Sequence, residues 1–154
     1  MVPDLTFSEE LLRILLAAGL GAAVGLEREV SEHEAGLRTH MLVAVGSALF
    51  TLVSAYGFGE FFTQGSPFVP VDPTRIAAQI VTGIGFLGAG AIIRQGPNIR
   101  GLTTAATLWA VAAIGLASGA GYYAGAVATT VVVIFALWPL RLLTKRLLGR
   151  EDEA

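Results

Sequence analysis

The longest stretch of this chain without a charged side chain runs for 40 residues, from Gly101 to Leu140. Shorter charge-free stretches run from Ile14 to Leu26, Met41 to Gly59 and Ile76 to Ile93. An apolar stretch of about 18 residues or more is typical of a helix that crosses a bilayer. Only 14% of the 154 residues are charged, against about 25% in an average soluble domain. The sequence therefore predicts an all-α, polytopic membrane protein.

Capping and turn signals divide these stretches into five predicted transmembrane helices. Thr6 and Glu9 match a capping box, so the first helix begins near Phe7, with Arg13 snorkelling outward. Asp72-Pro73 is typical of a helix start, and the small residues 118–121 separate the last two spans. The predicted spans are 7–30, Met41–Tyr56, 73–93, Leu102–Ala117 and Tyr122–Leu140, with a loop over Gly57–Val71. Residues 1–140 thus form the membrane domain, and 141–154 form a short basic interfacial helix and an acidic tail.

The distribution of lysine and arginine predicts the orientation of the five spans. Arg13 and Arg75 fall on the side of the N-terminus, and the other eight basic residues fall on the side of the C-terminus. Cytoplasmic segments carry the excess of positive charge, so the N-terminus is predicted outside and the C-terminus inside. The net charge of -2 and the lack of a basic stripe argue against nucleic acid as a partner.

Glycines in the first and third predicted spans occur at spacings that favour close helix packing. They are Gly21, Gly25, Gly83, Gly85, Gly88 and Gly90. Small residues on one helix face let backbones approach in lipid, which predicts helix contacts and a homodimer. Residues 83–88 also match G-x-G-x-x-G, but no strand precedes them, so dinucleotide binding is disfavoured. A locally unwound backbone that lines an ion path is the other alternative.

A polar helix face is predicted on the outer half of the third span. It comprises Asp72, Arg75, Gln79 and Thr82. Such a face serves either hydrogen bonding between helices or a vestibule for a small polar solute or ion. His33 and His40 lie in a glutamate-rich segment, where we expect them to face solvent and not to form a ligand pair. With no cysteine and no catalytic constellation, the sequence predicts no enzyme activity, no cofactor and no metal site.

A second set of polar residues is predicted at the cytoplasmic ends of the spans and in the loops that join them. It comprises Glu27, Arg28, Arg38, Arg94, Asn98, Arg100, Thr103 and Thr104. The N-terminus of the fourth span and two nearby arginines favour an anion at this place. Two alternatives follow: Glu27 or a neighbouring residue is that anion in a structural salt-bridge network, or the cluster docks a phosphate group or an acidic partner.

Four blocks of this sequence resemble the MgtC/SapB family of bacterial inner-membrane proteins. They are Gly25–Arg28, Ala35–Thr39, Arg75–Gly90 and Asn98–Trp109. The resemblance implies a five-span protein linked to survival in low magnesium. For members of the family in some pathogens, the resemblance also implies a role in growth inside macrophages and in inhibition of the F-type ATP synthase. Virulence-associated members carry a soluble C-terminal domain and an asparagine at the position of Thr103.

Two classes of function follow from the residues and the resemblance together. The first is a non-enzymatic membrane regulator that contacts itself or a partner complex, such as an ATP synthase. The second is a small magnesium transporter or channel formed by a dimer. A magnesium path needs carboxylates near the middle of the bilayer, whereas the acidic residues here lie near span ends or outside the spans. The sequence therefore favours the regulator.

Overall fold

The computed structural model describes residues 5–58, 72 and 74–139. Within them the chain forms five helices and one small β-hairpin, so the predicted all-α fold is confirmed. The elements are α1 (Phe7–Val30), α2 (Leu37–Tyr56), α3 (Arg75–Ala91), β1 (Ile93–Gln95), β2 (Asn98–Arg100), α4 (Leu102–Gly119) and α5 (Tyr123–Leu137).

The helices form a bundle in which α2 packs between α1 and α4. Ala44 of α2 is fully buried, with Gly21 of α1 and Gly115 of α4 both directed at it. The α1 helix runs antiparallel to α2, whereas α4 runs parallel to it. Consequently α1 and α3 end, and α2 and α4 begin, at one end of the bundle, which we call the hairpin end because it carries β1 and β2.

Hydrogen bonds at the helix starts explain where α1 and α2 begin. Thr6 and Glu9 form the predicted capping box, with the Thr6 amide donating to Glu9 Oε2 over 2.9 Å. The α2 helix begins at Leu37, four residues before the predicted start at Met41. Its first turn is stabilised by Glu29, whose Oε2 accepts a hydrogen bond of 2.9 Å from the Leu37 amide.

The predicted second cytoplasmic loop is a β-hairpin, which the sequence analysis missed. Ile93 pairs with Arg100 and Gln95 pairs with Asn98 in an antiparallel register. Gly96 has a φ of 63° in the turn, a conformation that glycine adopts without steric cost. Each strand has only three residues, which is too short for a period-two pattern to be recognised.

The ends of the last three helices differ from the predicted spans. Thr74, not Asp72, is the N-cap of α3, and Asp72 Oδ1 accepts hydrogen bonds from the hydroxyl and the amide of Thr74. These bonds lower the pKa of Asp72 below its ordinary value. The α3 helix ends at Ala91, α4 continues two residues beyond Ala117, and α5 runs from Tyr123 to Leu137. The predicted interfacial helix and tail, Pro73 and most of the predicted outer loop lie outside the described residues.

Two of the described helices, α2 and α4, are long and apolar enough to cross a membrane by length and composition. The α3 and α5 helices are also apolar, but they have only 17 and 15 residues. The α1 helix has 24 residues and charged side chains at both ends. By length and composition, therefore, two of the five predicted spans among the described residues can cross a membrane.

Candidate polar network at the hairpin end

A buried ion pair lies at the C-terminal end of α1. Arg28 is only 1% exposed, and its Nε donates to Glu27 Oε2 over 2.7 Å. Its Nη2 donates to Glu27 Oε1 over 3.2 Å, and Ser31 Oγ donates to the same oxygen over 3.1 Å. The charge of Glu27 is therefore balanced by Arg28 and not by Arg94 or Arg100. This arrangement differs from the predicted salt-bridge network.

His40 is fully buried in the first turn of α2, so the prediction that it faces solvent is wrong. Its Nδ1 lies 2.9 Å from the carbonyl oxygen of Gly36, and its Nε2 lies 3.1 Å from Thr107 Oγ1 of α4. Gly25 makes this burial possible, because a Cβ there would lie only 3.0 Å from the Cβ of His40. His40 therefore links α2 to α4 by a hydrogen bond and packs against α1 at Gly25. His33, in contrast, is partly exposed in the connection between α1 and α2.

The predicted cytoplasmic cluster separates into a buried part and an exposed part. Glu27 is half-buried, whereas Arg28 and Thr104 are buried among the three helices. The other members are exposed on the hairpin and the helix starts: Arg38, Arg94, Asn98, Arg100 and Thr103. Arg94 Nε donates to the carbonyl of Gly96 within the hairpin over 3.1 Å. The exposed part includes one arginine in each strand of the short β-hairpin.

Arg13 connects helix ends at the opposite end of the bundle, which the sequence analysis did not foresee. Its Nη1 donates to the carbonyl of Gly119 over 2.8 Å and to the Tyr56 hydroxyl over 3.5 Å. Its guanidinium carbon also lies 5.7 Å from the centre of the Tyr56 ring. A cation at the C-terminus of α4 is favoured by the helix dipole. Arg13 therefore joins the start of α1 to the ends of α2 and α4.

The predicted outer polar face lies on the exposed side of α3. Asp72, Arg75, Gln79 and Thr82 are all exposed. Gln79 lines a groove of about 560 Å³ between α2 and α3, whose walls are apolar apart from Gln79 and Ser47. If the polar face of α3 served as a vestibule, a small polar solute or ion would have to enter through this groove.

The six predicted packing glycines behave in two ways. A Cβ at Gly21 would lie 2.7 Å from the Cβ of Ala44, and one at Gly25 would lie 2.8 Å from the Cα of Leu37. These α1 glycines therefore allow close contact with α2. Gly88 faces Ala105 at an ordinary 3.7 Å, whereas Gly83, Gly85 and Gly90 have open space at their Cβ positions. An added Cβ at those three positions would therefore meet no other helix among the described residues.

Potential ligands for a metal ion are scattered through the bundle. Within residues 5–58, 72 and 74–139, no group of three or more histidine, aspartate or glutamate side chains is placed to hold a metal. The buried carboxylate nearest to the centre of the network, Glu27, is occupied by Arg28 and Ser31. The polar contacts described above can hold the helices together, and they leave the hairpin exposed at the end of the bundle.

The fold and these contacts define a small helical protein whose apolar helices suit a membrane and enclose a polar network at one end. Comparison with known families then identifies its relatives. The profile of the MgtC family matches residues 14–146, and the chain belongs to this family. This membership confirms the family resemblance found in the sequence.

The chain is similar to several curated bacterial proteins. It is 46% identical to YhiD of Escherichia coli K12, provisionally named a magnesium transporter, over 94% of this chain and 66% of YhiD. It is 47% identical to the protein MgtC of Salmonella typhimurium LT2 over 89% of this chain and 54% of MgtC. The chain thus spans about half to two thirds of the relatives that it matches. No solved structure shows a significant match.

Proposed function

We propose that this protein is a non-enzymatic, five-span regulator of the bacterial inner membrane that acts in adaptation to low magnesium. The hairpin supports the regulator most directly, because all six of its strand residues are exposed and it carries Arg94 and Arg100. A partner with an acidic or phosphate group would pair with the Arg100 guanidinium by charge-assisted hydrogen bonds. Arg94 lies on the other face of the hairpin, where it donates to the Gly96 carbonyl. A partner complex such as an ATP synthase, or a second copy of the chain, would be regulated through the contact with Arg100.

The magnesium transporter remains the second candidate. The provisional name of YhiD supports it, as does the groove lined by Gln79 between α2 and α3. A dimer with α3 along its axis would bring two such grooves together. Gln79 supplies an amide oxygen, but magnesium is usually bound through one or two carboxylates and retained waters. The regulator is therefore the function that we favour.

The proposed topology places the N-terminus outside and the hairpin in the cytoplasm. The chain has no cysteine, so single cysteines report on sidedness without background. We expect cysteine at Ser66 to react with an impermeant maleimide added to intact spheroplasts. Cysteine at Gln95 in the exposed hairpin should react only after the membrane is permeabilised. The opposite labelling pattern would reverse the orientation and remove the proposed cytoplasmic docking surface.

Arg100→Gln tests the docking surface. We expect this variant to abolish growth at low magnesium in a strain that depends on this protein. Its abundance and stability should stay near those of the wild type, because surface substitutions usually change stability by no more than about 0.5 kcal/mol. Arg75→Gln is the matched control, since it removes the same charge from an exposed position at the opposite end of the bundle. Equal growth of both variants would contradict docking through Arg100.

Magnesium flux separates the two candidates. Purified protein in liposomes that contain a magnesium-sensitive dye should show no flux above empty liposomes, with or without a membrane potential. The physical reason is the lack of a carboxylate along α3, where Gln79 and Thr82 are the polar side chains below Arg75. Saturable magnesium entry that disappears in Gln79→Leu would instead establish the transporter.

A further inference from the structure

Three hydrogen bonds around His40 can form at the same time only if the imidazole ring carries two hydrogens. The Nδ1 atom lies 2.9 Å from the Gly36 carbonyl oxygen, which only accepts, so Nδ1 must be the donor. On the other side, Nε2 lies 3.1 Å from Thr107 Oγ1. The single hydroxyl hydrogen of Thr107 is already directed to the Thr104 carbonyl over 2.8 Å. If that bond is kept, Nε2 must donate as well, and the ring is then an imidazolium.

A neutral ring satisfies the same atoms only if the Thr107 hydroxyl turns. With its hydrogen on Nδ1, the neutral ring has a free lone pair on Nε2, which must accept from Thr107. The Thr104 carbonyl then loses the hydroxyl but keeps the helical amide of Leu108 as its donor. The other neutral tautomer is disfavoured, because it places the Nδ1 lone pair against the carbonyl oxygen of Gly36.

The charged groups that act on His40 come from α1. Burial of the ring opposes its positive charge most strongly, and the hydrogen bond to the Gly36 carbonyl favours it. Of the two charged groups, the Arg28 guanidinium opposes a positive ring and the Glu27 carboxylate favours one. These two groups neutralise each other in their ion pair. Among the described residues, the α4 side of the site presents the neutral Thr104 and Thr107. The position of the Thr107 hydrogen is therefore set mainly by whether the ring holds one proton or two.

We propose that His40 is a buried proton-binding site that changes the contact between α2 and α4. The bound proton makes Nε2 a donor to Thr107, and the Thr107 hydroxyl then donates to Thr104. Release of the proton reverses the first hydrogen bond, so that Thr107 donates to Nε2. The proton thereby alters the hydrogen bond from the His40 side chain to the first turns of α4, next to the hairpin that begins at Ile93.

The nitrogen resonances of the His40 ring test this proposal. The chain has two histidines, so His33→Gln in the full protein leaves His40 as the only imidazole signal. In nanodiscs, we expect ¹⁵N spectra to change from the Nδ1–H tautomer to the imidazolium as the pH falls from about 8 to 5. A ring that keeps one state over this range, or a neutral ring with its hydrogen on Nε2, would overturn the proposal.

Thr107→Val tests whether the hydroxyl responds to the proton. Hydrogen bonds from charged donors are about twice as strong as neutral ones, so losing the hydroxyl should disfavour the imidazolium. We expect half-protonation of His40 to need about tenfold more protons in this variant. Thr107→Ser keeps the hydroxyl and should titrate like the parent, as should Thr103→Val, which removes an exposed hydroxyl from the same helix. Identical titration of Thr107→Val would show that the hydroxyl plays no part.

Discussion

Gly115→Ala should lower the melting temperature and the yield of the folded protein strongly, although it adds a single methyl group. The Cβ of that alanine would overlap the backbone carbonyl of Ala44, at the contact where α4 crosses α2. A backbone carbonyl cannot rotate away as a side chain can, so the two helices must separate. Overpacking of this kind typically costs about 1–3 kcal/mol or more, out of a total stability of about 5–15 kcal/mol. The measurement is the yield of monodisperse protein and its melting temperature in detergent.

Gly46→Ala provides the matched control for this prediction. It makes the same chemical change in the adjoining helix α2, but nothing lies within 4 Å of its Cβ position. Since alanine stabilises a helix by about 1 kcal/mol relative to glycine, Gly46→Ala should melt at or above the wild-type temperature. Equal melting of the two variants would mean that α2 and α4 are not in close contact at Gly115.

The sequence was sufficient to predict the elements that depend on local chemistry. The capping box of Thr6 and Glu9 lies where the motif indicates, because both partners belong to the same helical turn. The long charge-free stretches likewise predicted α2 and α4 as apolar helices. The start of α2 was less predictable, because it depends on Glu29, which lies eight residues before Leu37.

Glycine spacing predicted close packing on α1 but not on α3. Gly21 and Gly25 contact α2, whereas Gly83 and Gly85 face open space, although both pairs lie in apolar helices. A spacing shows which residues share a helix face, but it does not show whether another helix covers that face. The partner helix is set by tertiary structure, which a single sequence pattern does not contain.

The burial of the candidate site residues could not be predicted from the sequence for the same reason. Arg28 and His40 are polar residues near helix ends, a position at which most such side chains face water. Both are buried because Gly25 brings α1 close to α2 and because Thr107 of α4 lies opposite the imidazole. The contacts join residues up to 67 positions apart, so no local pattern could indicate them.

Glu27→Gln should cause the other large loss of stability. It leaves the Arg28 guanidinium buried without its counter-charge, and breaking one side of a buried ion pair typically costs about 3–5 kcal/mol. The double variant Glu27→Gln with Arg28→Met should recover most of that loss, because an uncharged pair has no unpaired charge to bury.

Equilibrium unfolding of the single and double variants in mixed detergent micelles measures both free energies. Glu34→Gln is the matched control, since this exposed glutamate lies seven residues further along the chain. It should stay within about 0.5 kcal/mol of the wild type. If Glu27→Gln behaves like Glu34→Gln, the ion pair does not hold the hairpin end together. The position of Glu27 beside a buried arginine would then point to a functional role for Glu27 and not to a structural one.

If Glu27→Gln unfolds readily while Arg100→Gln stays folded, the buried part of the cluster is structural and the exposed hairpin is the part available to a partner.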